Sequence, residues 1–155
     1  MKNYWIITSY LICFFFTDAL AQRRKIKPED VPSRVNETFA MQTNGAEATA
    51  WELEDGGKQY EVSYLDPTTQ VPHEMVISAE GEWIETSYEV AFDALPQAVK
   101  DAFYVQVGDV SKIAEVEWVL FAGSEAAVVE IELKDKKGSE YYFTAEGNQL
   151  MFEQK

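Results

Sequence analysis

The chain has 155 residues, 27 of them acidic and 13 basic, for a net charge of −14. A body this acidic repels nucleic acid and anionic membrane surfaces, which leaves basic, neutral or cationic partners. The single cysteine, Cys13, sits in the N-terminal stretch, so a folded body beyond it has no disulfide, thiol nucleophile or thiolate metal site.

Residues 1–21 read as a cleaved signal peptide. Lys2 supplies the positive start, residues 4–16 are almost unbroken apolar sequence, and Ala19-Leu20-Ala21 is a small-x-small cleavage site. The alternative is an uncleaved anchor, but the apolar run is short for a membrane span. Ile12 precedes Cys13 where a lipoprotein signal needs a small residue. Cleavage before Gln22 leaves 134 residues, enough for one compact domain, while either half alone would be marginal. Residues 22–29 hold Arg23, Arg24, Lys25 and Lys27 and show no periodicity, which predicts a flexible leader. From Pro28 onward 26 acidic residues face 8 basic ones, a balance of −18.

A first helix is predicted over 30–41, with Pro32 in its first turn and Val35 and Phe39 on one face. Asn44-Gly45 breaks it. Alternating strands follow. Trp51 and Leu53 oppose Glu52 and Glu54, and Asp55-Gly56-Gly57 turns the chain. Tyr60, Val62 and Tyr64 continue the inner face. Strands over 73–78 and 83–88 complete the set, with Ile84 read as inner. A second helix over 93–105 carries Leu95, Ala98, Val99, Ala102 and Phe103 at helical spacing. In the strands after it Val116, Trp118, Leu120, Val129, Ile131, Leu133, Tyr141 and Phe143 face inward, with Leu150 in the place of Ile84.

The two series repeat each other. Val31-Pro32-x-x-Val35-x-x-x-Phe39 returns as Leu95-Pro96-x-x-Val99-x-x-x-Phe103, each followed by a Trp-bearing strand (Trp51, Trp118) and a closing Ala-Glu-Gly at 79–81 and 145–147. The fold class expected is α+β: a tandem repeat of two α-β4 units over 30–90 and 91–155, each one helix on a four-stranded antiparallel sheet, packed as one domain.

These motifs resemble the PepSY-like family, small secreted bacterial proteins described as β-lactamase-inhibitor-like, over about residues 28–152. The resemblance implies an extracytoplasmic location, typically the periplasm of a Gram-negative bacterium, and inhibition of a protease or other hydrolase. In the β-lactamase inhibitor the open face of the joined sheets grips the enzyme.

No catalytic constellation stands out, and neither enzymatic activity nor a cofactor is expected. His73 is the only histidine and reads as an edge residue at the start of a strand. The alternation aims Glu52, Glu54, Glu61, Glu115, Glu117, Glu130, Glu132 and Glu140 away from the helices. Like charges on neighbouring strands cost a few tenths of a kcal/mol per pair, so a basic partner or a divalent cation would relieve them. A merely solvated face is the plain alternative. Trp83 and Tyr142 are expected on the same side, exposed among the carboxylates. Trp83, Tyr142, Glu61, Glu117, Glu130 and Glu132 are therefore the candidate contacts for a protein partner (a hydrolase or a basic surface), with a Trp capping the sheet as the alternative for Trp83. Divalent-cation loading of the acidic face is the second reading.

Overall fold

The computed structural model describes residues 23–151; the expected signal peptide, its expected cleavage site and Cys13 lie outside the described residues. Strands β1 (Arg24–Lys25), β2 (Ala48–Glu54), β3 (Gln59–Leu65), β4 (Pro72–Ser78), β5 (Trp83–Glu89), β6 (Ile113–Phe121), β7 (Val128–Leu133), β8 (Glu140–Phe143) and β9 (Gln149–Leu150) follow one another in chain order across one nine-stranded sheet. Every neighbouring pair is antiparallel. Helix α1 (Ser33–Gln42) precedes β2, and α2 (Gln97–Gln106) precedes β6. No described helix is long and apolar enough to cross a membrane.

Both helices start later than the apolar spacing suggests. Val31 and Leu95 each precede a proline, whose ring pushes the preceding residue out of the helical region, and both are extended. The helices therefore begin just after Pro32 and Pro96, while short 3-10 turns at Pro28–Asp30 and Phe92–Ala94 cover the earlier residues. The expected leader is also partly ordered, since Arg24 pairs with Leu53 and Lys25 with Glu52.

Antiparallel partners project to the same side of a sheet, so the ladder assigns both faces. One face carries both helices over two buried clusters. Val35 and Phe39 of α1 pack with Trp51, Val62, Tyr64, Met75 and Ile77. Val99 and Phe103 of α2 pack with Val116, Val129, Ile131, Leu133 and Phe143. Phe39 meets the rings of Trp51 and Tyr64 edge-on at 5.6 and 5.4 Å.

The two clusters are built alike down to the tight turn beneath each helix. Gly81 lies under Arg34 and Gly147 under Ala98, each at positive φ, and a Cβ at Gly147 would come within 2.7 Å of the Ala98 carbonyl carbon. From these anchors the ladder runs Ile77–Tyr60–Leu53–Arg24 in the first half and Phe143–Val129–Trp118–Tyr88 in the second. The structural counterpart of Trp51 is thus Val116, not Trp118. Each is nearly inaccessible opposite a fully buried partner, Val62 or Ile131.

The strands of both halves form one surface, because β5 pairs with β6 from Glu85↔Phe121 to Glu89↔Glu117. One further expectation is corrected: Trp83 is not on the open face. It pairs with Ile77, packs half-buried against the first cluster and donates its indole N–H to Thr86 Oγ1 at 3.0 Å. Leu150 correspondingly pairs with Tyr142, on the side away from the helices. Between Val76 and Ile77 the partner on β5 jumps from Glu85 to Trp83, a bulge at Ile84 that resets the alternation.

Candidate functional site

Away from the helices the ladder aligns acids strand by strand. Glu52 faces Glu61, Glu89 faces Glu117, Glu117 faces Glu130, Glu115 faces Glu132, and Glu132 faces Glu140. Glu54, Glu74 and Glu85 share this face. Of the expected contacts, the structure brings Glu61, Glu117, Glu130, Glu132 and Tyr142 together here and leaves out Trp83. A cleft of about 350 Å³ opens at one end of the face, with Ser63, Glu74, Glu89, Glu115 and Glu117 in its lining.

In the first half a cation answers this charge. Arg23, one residue before β1, reaches over β2 and sets Nε 2.8 Å from Glu54 and a second nitrogen 3.2 Å from Glu61. Burial opposes the guanidinium charge, but Glu61 and Glu54 outweigh it and the Arg23 pKa rises. Glu61 is only 5% exposed. Its burial, reinforced by Glu54, pushes the carboxyl up to about 8 even with Arg23 pulling the other way.

Among the described residues the second half has no such cation. Counting along the ladder, Glu130 takes the place of Glu61, Val119 that of Glu54, and Ser87 that of Arg23. Ser87 is buried and donates its hydroxyl to Glu117 Oε1 at 3.0 Å. Among the described residues no basic side chain forms an ion pair with Glu85, Glu117, Glu130 or Glu140. Burial, then Glu140, Glu85 and Glu117, push Glu130 up to about 8. Burial and the charge of Glu117 bring Glu85 to about 7. Glu117 also reaches about 7 through burial, against the Ser87 hydrogen bond. The Tyr142 hydroxyl donates to Glu140 at 2.8 Å, its ring stands 6.2 Å from that of Phe121, and burial raises its pKa strongly. Val119 lies on this face too, yet is only 1% exposed.

Arg23, Glu74, Glu85 and Ser87 are the residues that sequence reasoning misses. Glu74 alternates with Met75 and was within reach of the period-two argument. Arg23 lies in a segment without periodicity. Glu85 follows the bulge, which no local pattern announces. His73 is not an edge residue: β4 is interior, and the ring is half-buried between Tyr64 and Tyr88 at 5.6 and 4.9 Å, with Nδ1 3.0 Å from the Val71 carbonyl. Among the described residues no three His, Cys, Asp or Glu side chains gather as a metal-holding group.

Solved structures share this architecture. A DUF2874 family protein of Bacteroides ovatus superposes with a TM-score of 0.60 at 21% identity, over 77% of this chain and 84% of that one. A BLIP-like protein of Bacteroides fragilis gives 0.59 at 19% identity, over 77% and 83%. A candidate periplasmic protein of Bacteroides eggerthii gives 0.60 at 19% identity, over 78% and 86%. The fold is BLIP-like. The likeness is to BLIP-like and DUF2874 proteins. No protein-family model matches the sequence, and no curated protein does.

Proposed function

We propose that the chain is an extracytoplasmic, non-enzymatic binding module, inhibitor-like in character, that recognises a protein partner through its open acidic face. In this reading residues 1–21 are removed on export to the periplasm, and 30–90 and 91–155 are two PepSY-like α-β4 units packed as one domain. The alike clusters and the paired Gly81 and Gly147 turns support that internal repeat.

One observation carries the functional reading. An entire face of a nine-stranded sheet is left bare by the helices and lined with directly opposed carboxylates, which among the described residues one arginine answers, in the first half. Opposed like charges destabilise a sheet. A partner that brings positive charge removes that cost and is steered by the same field. Glu61, Glu117, Glu130, Glu132 and Tyr142 are the contacts assigned to it. The divalent-cation reading lacks a comparable observation, since among the described residues no three His, Cys, Asp or Glu side chains take up a metal-holding arrangement.

Capture from periplasmic extract, using the chain from Gln22 onward, tests the proposal. A double charge reversal on the open face, Glu117→Lys with Glu132→Lys, should abolish capture. Val105→Lys on α2, at a residue 83% exposed, should leave it intact. Capture that survives the first pair and is lost with the second would place the binding surface on the helices and overturn the reading.

A further inference from the structure

The first half of the open face holds its own ligand. Arg23 lies across β2 with its guanidinium shared between Glu54 and Glu61, at 2.8 and 3.2 Å, a forked contact of the kind that favours arginine over lysine. The second half keeps the receiving carboxylate, and among the described residues no arginine or lysine pairs with it. Glu130 stands where Glu61 does, and Ser87 stands where Arg23 does. Glu85 from β5, Glu117 from β6, and Glu140 and Tyr142 from β8 surround Glu130, and none of these acids has a basic partner among the described residues. Glu85 makes no described hydrogen bond or ion pair.

We infer that Glu130, with Glu85 and Glu117 beside it, is a receptor for an arginine side chain presented by the protein partner, matching the way Glu61 receives Arg23. The inference rests on the open-face reading of function and adds the partner's chemistry: an exposed arginine on its contact surface.

The probe is a capped Gly-Arg-Gly tripeptide, with capped lysine and citrulline tripeptides as controls, followed by NMR of the glutamate carboxyl carbons in the chain from Gln22 onward. The arginine peptide should shift the Glu130 and Glu85 signals saturably, and the neutral citrulline peptide should not. Glu130→Gln should weaken the arginine peptide at least about tenfold. Ser87→Arg should plant a guanidinium at the position equivalent to Arg23, shift Glu130 without any peptide and block the peptide. Should Ser87→Arg fail to fold, the near-isosteric Glu130→Gln decides alone. Equal response to citrulline, or binding unchanged in Glu130→Gln, overturns the inference. A captured protein that still binds Glu130→Gln but is lost on Glu117→Lys with Glu132→Lys would overturn the arginine receptor and leave the open-face function standing.

Discussion

On the helix side the two halves use matching positions: Trp51 opposite Val62 beneath Phe39, and Val116 opposite Ile131 beneath Phe103. On the open side they part company, with Glu61 meeting Arg23 and Glu130 meeting other acids. The reason lies in the neighbouring strand. β1 is a two-residue edge strand, free to send a long side chain across the sheet. Its counterpart β5 is hydrogen-bonded on both sides and joins the halves, so its position 87 holds a small buried serine. Core positions are constrained alike wherever a helix covers them, whereas an uncovered face diverges at little cost to packing.

The largest test of this comparison concerns its equal side. Phe39→Ala and Phe103→Ala should each cost about 3–5 kcal/mol, since both rings are buried at the centre of a cluster. Because β5 and β6 share one ladder, chemical denaturation should show a single transition in both variants and in the parent. Two separated transitions would make the halves independent.

The glycines under the helices sharpen it next. Gly147→Ala forces a Cβ against the Ala98 backbone at φ +80°, while at Gly81 the nearest atom, the Arg34 carbonyl oxygen, is 3.1 Å away. Both should lose about 1–3 kcal/mol, Gly147 the more. A larger loss at Gly81 would break the ordering.

The unequal side is read by pH. Glu61 and Glu130 titrate near 8, and Glu85 and Glu117 near 7, against a normal 4.5. Between these limits the native state holds more protons than the unfolded chain, so this contribution is full below pH 4.5 and lost as pH rises through 8. Thermal melts should show Tm falling across that window. Glu130→Gln should flatten the fall and add about 1–2 kcal/mol at pH 8. Glu61→Gln should gain less, because Arg23 loses a carboxylate.

The smallest effect belongs to Arg23→Gln. The arginine side chain is 58% exposed, so its removal should cost under about 1 kcal/mol, felt mainly at pH 8. It should raise the titration of Glu61 and leave that of Glu130 where it is. A shift at Glu130 would mean that the two acid groups act as one.

The sequence alone carried the helix positions through Val35, Phe39, Val99 and Phe103, the inward-facing strand residues other than Ile84 and Leu150, and most of the acidic face through strict alternation. These are local properties, since a side chain's face depends on its neighbours one and two residues away. Arg23, Glu85 and Trp83 escaped it for a common reason. Two-residue pairing at β1, the bulge at Ile84 and the joining of β5 to β6 are decided by which strand lies alongside, a partner 27 to 36 residues away for β1 and for the β5–β6 junction and 6 to 13 away at the bulge. Alternation determined that an acidic face exists. Only the ladder decided that Glu61 has an arginine beside it and Glu130 does not, because ladder hydrogen bonds between distant segments fix which side chains become neighbours.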